Sequence, residues 1–447
     1  MALLVLVLSG PLLVACTSST SSVPTTVRDA SIGPSIPTTI VQPLPSMPPG
    51  SERSEPAPWE VDTKRCAADS GVDDPITATL TIGSIAPQTG GLVSAVYAPV
   101  IKGFEAYIDH ANATRLLGDL QLNLVVADDQ GDPALTPAAA GGLIAANADV
   151  VTGVLGSANN LAIRDLLNTA CIPQLMALGN SARFGDVASY PWTMGALVPV
   201  TVETTVYVNS IVRSQGESST VALLVTDDSV GQTFANSFTA AAADTALTIV
   251  ETQVVEPNVI VAPNAQLLQI AAQQPDAIVA SLTGAACATF LIELANIEFA
   301  LGGQWTPTVY MSSGCADPSI LSLAGNTADG VYTSSNLVTD EPTFDAAMAA
   351  AGVTDGLAAA AEGWTAAEAT VAIIEQAAQS DAGLTRASII DAARHLDITP
   401  SLGRPGVHFI TDGTDDGYPA ESLQVIRYVA SSHDFVDVGP IVAQFES

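Results

Sequence analysis

The sequence predicts an α/β protein made of two doubly wound parallel sheets, and three observations carry that expectation. From Leu80 to Thr333, short and nearly continuous apolar runs alternate with Ala-rich amphipathic stretches. Strands that are apolar on both faces need helices over both faces, which is the pattern of a covered parallel sheet. The alternation runs on for longer than one such sheet takes up, so a second is expected. Near the C-terminus the order changes: helical stretches run from Phe344 to Arg394, and two short strands follow, Gly406–Thr411 and Leu423–Val429.

Composition agrees with this class. Of 447 residues 48% are hydrophobic and only 13% charged, enough to build full-sized cores. The formal net charge of -33, from 46 acidic and 13 basic side chains, repels phosphate backbones and anionic headgroups. Nucleic acid and direct adsorption to a membrane surface are therefore excluded as partners. The acids are scattered rather than blocked, so they read as a solubility trait.

Taken in order, residues 1–16 read as a lipoprotein signal peptide. Ala2–Leu13 is apolar, and Leu13-Val14-Ala15-Cys16 resembles the bacterial lipobox, in which the Cys sulfur takes a diacylglycerol. A membrane span needs about 20 apolar residues, and this run is shorter and broken by Gly10-Pro11. The expected location is the outer face of the cytoplasmic membrane, lipid-anchored through Cys16. Residues 17–75 form a Ser/Thr/Pro-rich tether, which lacks the large apolar residues of a core, most clearly as far as Trp59.

The strand candidates are Leu80–Ala86, Leu122–Ala127, Val150–Leu155, Pro173–Leu178, Val221–Thr226, Ile249–Val255, Ala277–Leu282, Thr308–Met311 and Gly330–Thr333. Helical stretches between them include Pro99–Ala111, Leu135–Ala148, Leu161–Ala170, Phe234–Ala243 and Ala286–Ala300.

Beside Cys16 there remain Cys66, Cys171, Cys287 and Cys315. An even number in an exported chain suggests two disulfides, with three possible pairings. Element order selects among them. Cys66 precedes the first strand of one sheet and Cys171 its fourth, so both lie at the amino-end edge. Cys287 and Cys315 follow successive strands of the second sheet, at the carboxyl-end edge. The expected bonds are Cys66–Cys171 and Cys287–Cys315. No pair has the C-x-x-C spacing of a zinc site.

Several segments, in order, are similar to the type I periplasmic binding proteins, in particular the branched-chain amino-acid-binding branch. They are Thr81-Ile82-Gly83-Ser84-Ile85-Ala86-Pro87-Gln88-Thr89-Gly90, Val125-Val126-Ala127-Asp128-Asp129-Gln130-Gly131-Asp132-Pro133, Val154-Leu155-Gly156-Ser157 and Cys171-Ile172-Pro173. Val225-Thr226-Asp227-Asp228-Ser229-Val230-Gly231, Gln274-Pro275-Asp276-Ala277-Ile278-Val279 and Gly330-Val331-Tyr332 complete the set, over residues 76–430. The resemblance implies two lobes joined by three chain crossings, with a ligand between them. Lobe one is expected at 76–199 and 330–403, lobe two at 200–329 and 404–447. It also implies capture of a small polar ligand, an amino acid or a related carboxylate or amide, for an ABC permease. The alternative is a ligand-sensing surface lipoprotein that acts on a signalling partner.

In open parallel sheets ligands sit beyond the carboxyl ends of the strands, so the loops there are the candidates. After the first strand come Thr89, Gly90 and Tyr97; the glycine lets backbone approach a ligand, and Tyr97 matches the aromatic that caps the ligand side chain in the family. Asn159 and Asn160 open a helix whose amides favour a carboxylate, with Asn160 in the matching position and Asn159 a helix cap. Leu178, Asn180 and Ser181 match a segment that touches carboxylate and ammonium, with Asn180 where the family has Thr. From lobe two, Asp228, Thr283, Ser313 and Asp317 are expected to face the cleft. Here the pattern departs from the family: the loop after Thr308–Met311 reads Ser312-Ser313-Gly314, without the acid that pairs with an ammonium. Asp317, Asp227 or Asp228 would have to take that role, or the ligand is not a standard amino acid.

The chain is not expected to be an enzyme. Its four histidines, His110, His395, His408 and His433, flank no nucleophile motif, and G-x-S-x-G and G-x-G-x-x-G are both absent. Asp412-Gly413-Thr414-Asp415-Asp416-Gly417 imitates the start of a calcium loop, but its twelfth position is Leu423 rather than Glu. Neither a cofactor nor a metal is expected.

Overall fold

Apolar strands that leave no polar face need cover on both sides, and two such sheets organise the chain. The computed structural model describes residues 61–67, 70–216, 218–257, 262–413 and 416–445; the Cys16 lipobox and the tether as far as residue 60 lie outside the described residues. The first sheet comes from β1 (Thr79–Ala86), α1 (Leu92–Thr114), β2 (Gln121–Asp128), α2 (Thr136–Ala145), β3 (Val150–Thr152), α3 (Ser157–Ala170), β4 (Gln174–Ala177) and β5 (Thr193–Gly195). Its strands are all parallel, in the order β2-β1-β3-β4-β5. Leu80 and Ile82 of β1 pack with Val100, Phe104 and Ile108 of α1 on one face. Ile85 packs with Ala140 and Leu143 of α2 and Ile163 of α3 on the other.

The chain then runs through α4 (Val200–Gln215), β6 (Thr220–Thr226), α5 (Ser229–Ala242), β7 (Thr248–Val255), α6 (Asn264–Gln273), β8 (Ala277–Ala280), α7 (Ala285–Ala300), β9 (Thr308–Met311), α8 (Pro318–Ser322) and β10 (Tyr332–Ser335). After them come α9 (Pro342–Ala351), α10 (Leu357–Ala378), α11 (Arg386–Ala393), β11 (Asp397–Ile398), β12 (Phe409–Ile410), β13 (Gln424–Val429) and β14 (Asp434–Asp437). The second sheet has the order β14-β13-β10-β9-β8-β6-β7, parallel from β7 to β10 and antiparallel at β13 and β14. Tyr207, Phe234 and Phe238 from α4 and α5 fill one side of it. Leu267, Phe290 and Leu321 from α6, α7 and α8 fill the other.

α10 returns to the first lobe and lies along α1 at very close range. A Cβ on Gly363 would stand 1.9 Å from the Val100 carbonyl oxygen, and one on Gly103 1.9 Å from that of Ala360. Only glycine allows backbones to meet this way. α1 itself begins at Leu92, ahead of the expected Pro99, and carries that proline inside the helix at the cost of one backbone bond.

Three crossings join the lobes, and two of them come later than expected. The first follows β5, before α4. The second was expected at 330, but β10 pairs with β9 and β13, so Gly330–Ser335 belongs to lobe two and the return falls at 336–341. The third was expected at 404, yet Val407 and Phe409 sit in the lobe-one core and β11 pairs with β12. Arg394 holds this segment by donating to the carbonyls of Asp416, Pro191 and Thr193. Lobe two resumes only at Leu423, just before β13, where Leu423 bridges to Val442.

Both expected disulfides are present. Cys66–Cys171 has its Cα atoms 5.6 Å apart, and Cys287–Cys315 has them 5.9 Å apart.

Candidate functional site

The carboxyl ends of the two sheets carry the loops singled out from the sequence, and those loops come close across α1. A Cβ on Gly284, in the loop after β8, would stand 3.8 Å from Val96 Cγ1 at the start of α1. At the first crossing, the Val200 amide of lobe two donates to the Asn180 carbonyl of lobe one (3.1 Å).

On the lobe-one side, α3 begins at Ser157 behind Gly156, whose φ of 92° suits glycine. The amides of Ser157, Ala158 and Asn159 belong to the first turn and have no acceptor within the helix. A Cβ on Gly179 would lie 2.8 Å from Ser157 N and 2.6 Å from its hydroxyl oxygen, so the loop after β4 rests on this helix start. Asn180 is half-buried, and its side chain makes no hydrogen bond among the described residues. Donor-rich backbone beside an unpaired amide is a setting for a carboxylate.

Three expected contacts are taken up within lobe one instead, two of them buried and Thr89 exposed. Asn160 is fully buried; its Nδ2 donates to the carbonyls of Val154 (2.7 Å) and Gly156 (2.9 Å), and its Oδ1 accepts from Gln174 (3.0 Å). Asn159 does not cap α3: its Nδ2 donates to Asp129 Oδ2 (2.8 Å) and reaches Thr136 Oγ1 (3.0 Å). The Thr89 hydroxyl donates to Asp128 Oδ2, while Asp128 Oδ1 takes the amides of Gln88, Thr89 and Gln130. That loop is braced against the end of β2, and Gly90 lies against the Gln130 carbonyl. Leu178 is buried and its carbonyl accepts from Gly156 N (2.9 Å). Ser181 accepts from Arg183 N, and its carbonyl takes the Tyr418 hydroxyl (2.6 Å).

From lobe two, Asp228 and Asp317 are N-caps. Asp228 Oδ1 accepts from Gly231 N and Thr226 Oγ1. Asp317 Oδ1 accepts from Ser319 N and Oγ. Thr283 is exposed. Ser313 N donates to Glu203 Oε1 (2.5 Å), which also accepts from Tyr207 (3.0 Å) and Ser334 (3.3 Å). Burial raises the Glu203 carboxyl above its ordinary value in spite of these bonds. Cys315 ties the same loop to Cys287 in the first turn of α7.

Tyr97 and a residue that sequence reasoning missed, Glu362 of α10, meet these loops electrostatically. Burial raises the Tyr97 phenol, and the carboxylates of Glu362 and Asp228 raise it further. Burial, with Asp317 adding, pushes Glu362 up to about 7. No hydrogen bond or ion pair engages Glu362 among the described residues. Its signal was available: α10 is buried nearly all round, so an acid in Ala358-Ala359-Ala360-Ala361-Glu362-Gly363-Trp364 is out of place in a structural helix. Glu203 carries the same signal within Val200-Thr201-Val202-Glu203, where it is buried with apolar neighbours.

A family model described as periplasmic binding protein matches residues 79–432. No curated protein matches the chain in sequence. Among solved structures, a branched-chain amino-acid ABC transporter protein from Thermus thermophilus with bound valine superposes with a TM-score of 0.70 at 20% identity, covering 82% of this chain and 97% of that one. A leucine-binding protein from Thermotoga maritima gives 0.64 at 16% identity, covering 82% and 99%. A solute-binding protein from R. palustris in complex with benzoate gives 0.67 at 16% identity, covering 82% and 98%. At such identities the likeness is one of fold.

Proposed function

The chain belongs to the periplasmic binding protein family, and from that premise we propose that it is an extracytoplasmic solute-binding lipoprotein that delivers a small polar ligand to an ABC permease. The observation that carries this reading is the pair of facing sheet ends, with the unpaired first-turn amides of α3 beside Asn180 on one side and the braced loops at 283 and 313–317 on the other. Ser157, Ala158 and Asn159 contribute backbone donors and Asn180 its amide to a carboxylate. Tyr97, Thr283, Ser313 and Asp317 line the rest. Carboxylates in two structural relatives, valine and benzoate, favour the same class. A ligand that touches both lobes favours the closed arrangement by its differential affinity. Cys16 supplies the lipid anchor on the outer face of the cytoplasmic membrane, without enzymatic activity in the folded part.

The test is mass spectrometry of small molecules released from purified protein, paired with thermal shift against amino acids and simple carboxylates. A carboxylate-bearing molecule that co-purifies and raises the melting temperature is the expected result. No released molecule and no shift with any of these compounds would overturn the reading.

A further inference from the structure

Glu362 is a partly buried carboxyl without a hydrogen-bond or salt-bridge partner among the described residues, on a helix that packing otherwise consumes. Its place is set by backbone. Gly363 seats against Val100 and Phe104 of α1, and a Cβ on Gly356 would stand 2.8 Å from Pro99 Cγ, which fixes this end of α10 beside the turn of α1 that carries Tyr97. Asp317, from the other lobe, is close enough to raise the Glu362 carboxyl. The charged and titratable groups that face Glu362 are therefore Tyr97 on α1 and Asp317 at the cap of α8, with Asp228 at the cap of α5 acting on the same Tyr97. None of them is basic. Oδ1 of Asp317 and of Asp228 is taken up by local hydrogen bonds, which leaves the second oxygen of each without a protein donor among the described residues.

A partly buried carboxyl, with no protein cation beside it among the described residues, is costly unless something else supplies the charge. We propose that Glu362 is the specificity-determining group of the cleft, that it holds a protonated nitrogen of the ligand from lobe one while Asp317 faces the same nitrogen from lobe two, and that it replaces the acid missing from the Ser312-Ser313-Gly314 loop. This rests on the solute-binding reading above and narrows it to ligands that carry an ammonium beside their carboxylate. The two ends divide the recognition. The start of α3 offers only donors, and the Glu362 end offers only acceptors, so a zwitterion satisfies both and a plain acid leaves Glu362 unpaired. Acids on opposite lobes also give the cation a direct part in closure, because its attraction to both is strongest when the lobes approach.

The probes are the protein amino acids, each paired with the carboxylic acid that lacks its α-amino group, ranked by thermal shift and titrated calorimetrically for the strongest pair. The amino member is expected to bind about thirtyfold tighter than its deaminated counterpart or better, the scale of a charge-assisted hydrogen bond. Glu362→Gln is expected to erase that preference, weakening the amino member by a similar factor and leaving the deaminated acid within about threefold. Glu375→Gln, exposed on the same helix, is expected to change neither. Binding should also release protons near pH 7, and the amino member's affinity should rise from pH 6 to pH 8 in wild type but stay flat in Glu362→Gln. Equal binding of both members, or unchanged binding of the amino member in Glu362→Gln, overturns this proposal and leaves solute binding standing. No binding by either series overturns the solute-binding reading itself.

Discussion

The two lobes are built by one strand-and-helix alternation, yet they put their disulfides at opposite ends of their sheets. Cys66–Cys171 lies at the amino-end edge of the first sheet, away from the cleft, and closes a span of 105 residues. Cys287–Cys315 lies at the carboxyl-end edge of the second, between the start of α7 and the loop after β9, and closes a span of 28. A bond far from the site can act only on the fold. A bond between two loops proposed to hold the ligand also restricts the geometry they offer. Lobe one needs no such bond, because its loops are held by hydrogen bonds of buried side chains, with Asn160 on Val154 and Gly156 and Asn159 on Asp129.

Breaking each bond separates the two roles. Replacing Cys66 and Cys171 by Ala is expected to cost about 5 kcal/mol of unfolding free energy on loop-closure grounds. Ligand affinity in the fraction that stays folded should not change. Replacing Cys287 and Cys315 is expected to cost less stability, about 3.5 kcal/mol, because the closed loop is shorter. It should also weaken ligand binding by roughly tenfold, a part of the ordering cost of the two loops. Denaturant titration and calorimetry on both double mutants measure the contrast. The loss in the second is partial because Ser312 still bridges the loops, donating to the Leu282 carbonyl (2.7 Å) and accepting from its amide (3.1 Å). Equal affinity loss in both double mutants would remove the distinction.

The same contrast within lobe one is sharper at a single residue type. Asn160→Ala is expected to cost about 2 kcal/mol, since it strips buried partners from Val154, Gly156 and Gln174, and to leave affinity nearly intact. Asn180→Ala should do the reverse, with little change in stability and a loss of ten- to a hundredfold in affinity. Affinity loss in Asn160→Ala equal to that in Asn180→Ala would mean that the bracing of the start of α3 by Asn160 matters to the ligand as much as the Asn180 amide does.

The architecture was legible because its signals are long. Nine strand candidates recur in two covered sheets, and both disulfides followed from which edge each cysteine had to occupy. Short elements were read unevenly: β12 falls within the expected Gly406–Thr411, whereas β5, with three residues, and β11, with two, are too short to show a period. α4 is rich in Val and Thr, poor helix formers, and holds its helix by packing against α5 and the second sheet rather than by propensity. The crossings moved because the tertiary partners of Tyr332 and Phe409 decide lobe membership, and no local residue marks them. In the site, residue type identified the loops but not the direction of each side chain. Asn159, Asn160 and Thr89 look like ligand contacts in sequence, and only Asp129, Val154 and Asp128 show why they turn away.

Glu362 carries the comparison to its smallest effect, in the protein without ligand. Its folded carboxyl titrates at about 7, against 4.5 for the ordinary group. Between those values the folded state holds more protons than the unfolded chain, so stability falls as pH rises through that window and the full cost is in place above it. Glu362→Gln removes this slope. At pH 4 both proteins present a neutral side chain of similar shape and should unfold alike. At pH 8 the variant should be the more stable by about 1–2 kcal/mol, less than the full shift implies because the group keeps some contact with water. Glu203 is raised as well, but it is common to both proteins and cancels in the difference. Denaturant midpoints taken from pH 4 to pH 8 read the two curves directly. Parallel curves would mean that Glu362 is already compensated in the empty cleft, and a variant less stable at pH 8 would give it a structural role in lobe one like that of Asn160.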